Sequence, residues 1–278
     1  MNKETFFKHY PVRKKDSNKF DNGRVLFVSG SYGMAGAAIL NIIGARSAGV
    51  SYIRSLLPEN IYPIAASSQI TAVYHPDDLK DDGYLNSLNL AEKVDAVGIG
   101  SGLDRHPYAR KYLCDILSNY AVPVVVDAFG LRLLSENEEL YSLNSRMILT
   151  PHMGEFSHLV HMSLDEINKD KENIASNFAK RNKVILVLKG PETLIFNCDG
   201  KLTRNNSGNE ALARAGSGDV LTGMITGLCA LYDDPYMASV DAVWLHGHLC
   251  DLAVKNHAKE TFDLCCYPQY ADSFFFER

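Results

Sequence analysis

The chain has little of what marks several common protein classes. Its 28 basic and 33 acidic residues leave a net charge of only −5, so no overall positive charge favours nucleic acid or an anionic membrane. No apolar run reaches the roughly 18 residues needed to cross a bilayer. The polar N-terminal segment also lacks the apolar core of a signal peptide. We therefore expect a cytoplasmic protein that binds neither nucleic acid nor membrane.

Two further absences narrow the choice of cofactor chemistry. The six cysteines form no C-x-x-C pair, so we expect reduced thiols rather than a metal or redox motif. The Walker A pattern G-x-x-x-x-G-K-[ST] is missing, which disfavours a P-loop nucleotidase. Residues 98–102 imitate part of a dinucleotide fingerprint but lack its third glycine in register, so they support a Rossmann fold only weakly.

Short β-branched runs alternate with longer helical segments along the chain. The run at residues 122–126 is nearly all valine, which is typical of a strand covered on both faces. The alternation predicts an α/β fold with a mostly parallel sheet and helices on either side. No break in composition divides residues 24–278, which we predict to be one domain after a leader at 1–23. Strands are predicted at 24–29, 50–56, 70–74, 94–99, 122–126, 147–150, 184–188, 193–196 and 201–204, and helices at 35–48, 107–120, 164–181, 219–231 and 235–255.

Polar or glycine-rich segments follow five of the predicted strands. They are residues 30–33, 98–102, Asp127, 150–155 and 189–193. In an open parallel sheet, ligands bind beyond the carboxyl ends of the strands. Five such segments at successive strand ends therefore predict a single cleft.

The most informative segment is residues 205–223. Glycine at 216 and 218 permits a sharp turn, and the helix that begins near Gly218 presents unpaired amide groups and a partial positive charge. This is an anion site suited to a phosphoryl group, and we predict an anion hole made of Ala215, Gly216, Ser217 and Gly218. Asp219 follows in the first helical turn, where a carboxylate can accept the proton of an attacking hydroxyl. The alternative is that Asp219 only stabilises the start of the helix; the preceding glycine loop favours chemistry.

Several motifs, taken together and in order, resemble one family. It is the ADP-dependent (S)-NAD(P)H-hydrate dehydratases, the carbohydrate-kinase-like branch of the ribokinase-like superfamily, and the resemblance covers residues 24 to 255. The motifs are Met34-Ala35-Gly36-Ala37-Ala38, Ile99-Gly100-Ser101-Gly102-Leu103, Val126-Asp127-Ala128, Leu149-Thr150-Pro151-His152-Met153-Gly154-Glu155-Phe156, Val187-Leu188-Lys189-Gly190, Asn206-Ser207-Gly208-Asn209, Ala215-Gly216-Ser217-Gly218-Asp219-Val220-Leu221 and Leu245-His246-Gly247.

The resemblance implies a three-layer α/β/α ribokinase-like fold and a reaction. ADP, or ATP in some members, drives the removal of water from hydrated NADH or NADPH, with Mg²⁺ bridging the phosphates. Asp219 would be the essential aspartate. By the same resemblance, the nucleotide would contact Lys189, Gly190, Thr193 and Gly218, and the hydrated cofactor would contact Ala37, Gly102, His152, Asn209 and Asp219.

Some roles stay open at this point. Glu155 could orient His152, bind Mg²⁺ through water or cap the following helix, and no metal ligand is assigned. His246 and His248 are interpreted as packing or surface residues. The sequence departs from the family pattern at several positions: Ser101 and Met153 stand where proline is usual, and Phe129 and Arg132 occupy the turn after Asp127.

Two other functions remain in competition. One is a small-molecule kinase of the same superfamily that phosphorylates a vitamin alcohol and stops there, and the other is a nucleotide-binding relative that has lost catalysis. The sequence does not choose between ADP and ATP or between NADH-hydrate and NADPH-hydrate. We expect a homo-oligomer, because apolar edges in such folds often assemble.

Overall fold

The computed structural model describes residues 1–78 and 93–278, which contain a single nine-stranded sheet. Its strand order is β3-β2-β1-β4-β5-β6-β7-β8-β9. The first seven strands are parallel, and the last two form an antiparallel hairpin. The strands are β1 (Arg24–Val28), β2 (Tyr52–Pro58), β3 (Val73–Asp77), β4 (Ala96–Ile99), β5 (Val124–Val126), β6 (Met147–Leu149), β7 (Ile185–Leu188), β8 (Leu194–Phe196) and β9 (Leu202–Arg204).

Helices cover both faces of this sheet. In the described ranges they are α1 (Lys3–His9), α2 (Ala35–Ser47), α3 (Tyr62–Ser68), α4 (Ala109–Asn119), α5 (Phe129–Glu136), α6 (Met153–Val160), α7 (Leu164–Lys169), α8 (Lys171–Asn182), α9 (Ser217–Cys229), α10 (Pro235–Ala253) and α11 (Tyr267–Phe276). None of these helices is long and apolar enough to cross a membrane.

The side chains of each strand alternate between two hydrophobic cores. Phe27 of β1 belongs to the core that α1, α2, α9, α10 and α11 build on one face. Its neighbours Leu26 and Val28 belong to the core that α4 to α8 build on the other face. This alternation is why the strands are apolar at every position. The predicted three-layer α/β/α fold is confirmed.

Most predicted bounds differ from the structure by one or two residues, and two predicted elements differ most. The single helix predicted at 164–181 is two helices, because the backbone at Asp170 leaves the helical conformation (φ −152°, ψ 45°) and separates α7 from α8. The strand predicted at 70–74 begins only at Val73, and Ile70 is 82% exposed. The sequence analysis also assigned no helix at α1, α3, α5, α6 or α11, all of ten residues or fewer. Such short helices depend on tertiary packing more than on local propensity.

The N-terminal residues pack on the domain rather than standing apart from it. Phe6 of α1 is fully buried, with its ring centroid 5.8 Å from that of Trp244 in α10 and 5.4 Å from that of Phe274 in α11. Aromatic pairs at these separations contribute beyond simple area burial. The division at residue 23 stays a prediction.

The carboxyl ends of the central strands meet at one edge of the sheet. Gly30, after β1, donates its amide to the carbonyl of Ser101 after β4 (2.8 Å). Asp127, after β5, donates to Ile99 of β4 (3.0 Å), and Lys189, after β7, donates to Pro151 after β6 (2.8 Å). The loops that the sequence analysis grouped into one cleft are therefore neighbours.

Candidate functional site

Helix α9 begins at this edge with a backbone conformation that requires glycine. Gly216, the residue before the helix, has φ 90°, and a Cβ there would lie 2.4 Å from Cδ1 of Leu40. Among the described residues, the amides of Gly218 and Asp219 have no hydrogen-bond acceptor. Free amides in a first helical turn carry partial positive charge. The start of α9 can therefore bind an anion, as the sequence predicts.

A cavity of about 1150 Å³ opens beside this helix start. Asp219, Gly216 and Ala215 lie on its wall. The other lining residues are Gly33, Met34, Gly36, Ala37, Leu40, Gly102, Asp104, Ala128, Phe129, Arg132, Ser135, Glu136, His152, Gly154, Glu155, His158 and His161. Its volume exceeds the ~300–1,000 Å³ usual for small-molecule pockets, so there is room for a large ligand or for two ligands together.

The ammonium group of Lys189 lies next to the first turn of α9 and is surrounded by carboxylates. The ammonium of Lys189 lies 2.9 Å from Oδ1 of Asp127 and 3.8 Å from Oε2 of Glu155. Burial lowers the pKa of Lys189, but the negative charges of Asp127, Glu155 and Asp219 outweigh it and raise the pKa overall. A Cβ on Gly218 would lie 3.2 Å from this ammonium. A fixed positive charge therefore sits against the first turn of α9.

The carboxyl group of Asp219 is tuned for proton transfer near neutral pH. Burial and the neighbouring charge of Asp127 raise its pKa from 3.8 to about 6. The ammonium of Lys189 and a hydrogen bond from Ser101 oppose this rise. A base is most effective when its pKa lies near the working pH. Asp219 therefore has both the position and the pKa of a general base.

His152 and Glu155 form a capping box at the start of α6. Nδ1 of His152 accepts from the amide of Glu155 (3.1 Å), and Oε2 of Glu155 accepts from the amide of His152 (2.8 Å). With Nδ1 accepting, the neutral imidazole carries its proton on Nε2 and can donate it to a ligand. Glu155 thus caps the helix and orients His152, two of the three roles left open by the sequence; Mg²⁺ binding through water stays a prediction.

Two residues predicted to contact the hydrated cofactor lie side by side on the cavity wall. A Cβ on Gly102, which has φ 66°, would lie 2.8 Å from Cβ of Ala37. The loop after β4 can approach α2 this closely only because residue 102 has no side chain. Ala37, Gly102, His152 and Asp219 therefore share one surface.

Other predicted site residues do not line that cavity. Gly190 is exposed, and Thr193 is buried, its hydroxyl donating to the carbonyl of Gly190 (3.3 Å). Asn209 donates from its side chain to Asp251 (2.7 Å) and accepts from the amide of Ala211 (3.0 Å). These bonds stabilise the loop that contains Asn209. The contact of Asn209 with a ligand stays a prediction.

The sequence analysis assigned no functional role to three polar residues that lie near the site: Asn41, Ser101 and His246. Asn41 of α2 donates to the backbone carbonyl of Asp219 (2.8 Å) and to the Ser101 hydroxyl (3.2 Å). His246 is buried, with Nε2 3.5 Å from Oγ of Ser217, and burial lowers its pKa to about 4. It is therefore a neutral packing residue that also touches the anion hole. The sequence held one sign that Asn41 has a specific role: it is the polar residue in a segment, 35–45, of otherwise small and apolar residues.

Comparison with known proteins finds relatives that match most of the chain. The model of the NAD(P)H-hydrate dehydratase family matches residues 25–268. The chain is 33% identical over 253 residues to the ADP-dependent (S)-NAD(P)H-hydrate dehydratase of Bacillus subtilis, covering 90% of this chain and 88% of the relative. It spans about half the length of bifunctional NAD(P)H-hydrate repair enzymes such as that of Moorella thermoacetica (48%, at 34% identity).

Solved structures agree on the fold. The ADP/ATP-dependent NAD(P)H-hydrate dehydratase from Bacillus subtilis, co-crystallised with ATP and Mg²⁺, superposes with a TM-score of 0.85 at 30% identity, covering 99% of this chain and 97% of that one. A ribokinase-like superfamily protein from Enterococcus faecalis superposes with a TM-score of 0.86 at 22% identity, covering 99% and 95%. The second likeness supports the fold alone.

Proposed function

Because the chain belongs to the NAD(P)H-hydrate dehydratase family, we propose that it uses ADP or ATP to dehydrate hydrated NADH or NADPH and so restores the reduced cofactor. The observation that carries the proposal is the placement of Asp219. Its carboxylate lies on the cavity wall, in the first turn of α9, next to amides free to hold a phosphoryl group.

The first step is a phosphoryl transfer. Asp219 takes the proton of the substrate hydroxyl as that oxygen bonds to the terminal phosphorus of the nucleotide, and the bond from phosphorus to the departing nucleotide breaks. The amides of Gly218 and Asp219, with the ammonium of Lys189, stabilise the charge on the phosphoryl oxygens. The nucleotide lies on the side of Lys189, Gly190 and Thr193, and the hydrated ring on the side of Ala37, Gly102 and His152.

The second step is an elimination. The carbon–oxygen bond breaks with its electron pair going to phosphate, and the lone pair of the ring nitrogen fills the vacancy on carbon. Loss of a proton from the adjacent carbon to phosphate or water then restores the ring double bond. Phosphate leaves far more readily than hydroxide, which is the purpose of the first step.

The residues present fit a magnesium ion carried by the nucleotide rather than by the protein. No three His, Cys, Asp or Glu side chains in the described part of the chain are grouped to hold a metal. Asp127 is already bonded to Lys189 and Thr150, and Glu155 to the amide of His152. Mg²⁺ keeps several waters and binds mainly through phosphates in such sites, where it neutralises phosphate charge. Glu155 is the group placed to reach it through water.

The test is recovery of reduced-nicotinamide absorbance when the purified protein meets hydrated NADH or NADPH with ADP, and separately with ATP. We expect recovery with at least one nucleotide, and its loss in Asp219→Asn. Asp165→Asn is the matched control, since Asp165 is an exposed first-turn aspartate of α7 outside the cavity.

Two outcomes would replace the proposal. Stable phosphorylation of a vitamin alcohol without recovery of absorbance would identify a small-molecule kinase. Tight nucleotide binding with no turnover of either substrate would identify a relative that has lost catalysis. A cytoplasmic location and a homo-oligomeric state stay predictions from the sequence.

A further inference from the structure

The cavity beside Asp219 has a wall to which no ligand contact has been given. Helix α5 contributes Phe129, Arg132, Ser135 and Glu136 to the lining of this cavity. None of the four residues predicted to contact the nucleotide is among the described lining residues. The cavity is therefore the place of the hydrated cofactor, and α5 must meet a part of that molecule beyond its hydrated ring.

The charges that line this cavity are mostly negative. Among the described residues, Arg132 is the one lysine or arginine on its wall, and the acidic side chains there are those of Asp104, Glu136, Glu155 and Asp219. NADH and NADPH, and their hydrates, carry a negatively charged pyrophosphate between their two halves. Carboxylates repel this group and a guanidinium attracts it. The pyrophosphate therefore fits best beside Arg132.

The guanidinium of Arg132 is oriented by two neighbours on its own helix. Its Nε donates to Oε1 of Glu136 (3.1 Å), one turn later, and its Cζ lies 5.9 Å from the ring centroid of Phe129, one turn earlier. Within the described ranges, Nη1 and Nη2 of Arg132 donate to no acceptor, and the side chain is 70% exposed, so a ligand can reach it. Two such amino groups form a fork that matches two phosphate oxygens.

We propose that Arg132 binds the pyrophosphate of the hydrated dinucleotide through Nη1 and Nη2, and so makes the protein prefer dinucleotides to the nicotinamide riboside alone. The assignment rests on the proposed function, which supplies the dinucleotide. Phe129 and Arg132 stand where this chain departs from the family pattern. The contact is therefore expected of this chain and not of every relative.

The direct test measures binding without turnover. Isothermal titration calorimetry of the nucleotide-free protein gives the Kd of NADH and that of reduced nicotinamide riboside, which has the same ring and no phosphate. Arg132→Gln should raise the Kd of NADH about tenfold, as expected for the loss of hydrogen bonds between two charged groups. It should leave the Kd of the riboside unchanged. Arg132→Lys keeps the charge without the fork and should give an intermediate Kd for NADH.

The matched control is Arg181→Gln. Arg181 of α8 also lies over an aromatic ring on its own helix, with Cζ 5.9 Å from the ring centroid of Phe178, but it is not among the residues that line the cavity. This variant removes the same charge from an arginine in a similar setting. It should bind both NADH and the riboside as the wild type does.

The kinetic arm compares hydrated NADH with hydrated nicotinamide riboside as substrates. In Arg132→Gln, kcat/KM should fall about tenfold for hydrated NADH and stay unchanged for the hydrated riboside, with the KM of ADP unaltered. Equal losses on both substrates, an unmoved Kd of NADH, or a rise confined to the KM of ADP would overturn the proposal. Because calorimetry needs no turnover, an inactive wild type would refute the dehydratase function while the Kd of NADH still decides the role of Arg132.

Discussion

Two aspartates with raised pKa values show that the same shift can accompany different roles. Asp219 and Asp241 both have a pKa raised chiefly by burial. The Asp241 side chain is 0% exposed and accepts hydrogen bonds from Tyr232 (3.0 Å) and His9 (2.9 Å), which joins α1 to α10. Asp219 instead lines a cavity beside unpaired amides and a lysine ammonium. A raised pKa therefore does not identify a site; access and surrounding charge do.

The largest difference should appear in turnover. Asp219→Asn should lower kcat by roughly 10²–10⁴-fold, since it removes the proton acceptor. Asp241→Asn, measured on the folded fraction, should keep wild-type kcat because Asp241 is not among the residues that line the cavity. The measurement is the nicotinamide recovery assay with protein concentration corrected by circular dichroism. Equal losses of kcat in Asp219→Asn and Asp241→Asn would show that the two aspartates do not differ in their role in turnover.

The free energy of unfolding should show the reverse order, with a larger loss on replacing Asp241 than on replacing Asp219. Asp241→Ala leaves the Tyr232 hydroxyl and the His9 ring without their buried acceptor, so the free energy of unfolding should fall by about 2–4 kcal/mol. Urea denaturation at pH 7 measures this. His9→Ala, which removes only one partner, should cost less. A loss below about 0.5 kcal/mol in Asp241→Ala would mean that α1 is not held by this cluster.

The pH dependence of kcat/KM sharpens the assignment of Asp219. The folded pKa of about 6 means that the base is ionised above pH 6 and protonated below it. Activity should therefore fall about tenfold for each pH unit below 6. Asp241→Asn should leave the midpoint of this limb unmoved. A wild-type limb centred near 4 would show that Asp219 is not tuned by its surroundings.

The smallest expected effect is a gain in stability. Folding raises the Asp219 pKa above its ordinary 3.8, so its ionised form destabilises the folded state fully above pH 6 and not at all below pH 3.8. Asp219→Asn removes that cost. Since the group is only partly buried, we expect a gain of about 1 kcal/mol at pH 7.5. Urea melts at pH 7.5 and 4 measure it, and a gain that persists unchanged at pH 4 would show that the ionised carboxylate is not its cause.

Much of the fold was readable because its signals are local. The valine run at β5 and the alternation of strands with helices α2, α9 and α10 predicted the parallel sheet. Strand-end polarity also predicted which loops meet. The bounds of α7 and α8 were not readable, because Asp170 breaks a segment whose composition is continuous. The short helices α1, α3, α5, α6 and α11 were missed since packing, not propensity, holds them.

The site was partly readable for the same reason. Gly216, Gly218 and Asp219 lie within four residues, so their joint role follows from the start of one helix. Asn41 and Ser101 could not be linked in advance, because they belong to different elements 60 residues apart and meet only in the folded chain. Asn209 stood in a matching motif, yet its side chain is taken up by Asp251.

The sequence by itself determined the order of strands and helices, the helix start with its free amides, and the presence of a carboxylate beside it. These follow from backbone geometry and the periodicity of apolar residues, which act over a few neighbours. Only the tertiary structure decided which aspartate faces a cavity, which lysine and hydroxyl stand next to it, and hence its pKa. Electrostatic energy depends on distance and burial, and both are set by chain segments far apart in sequence.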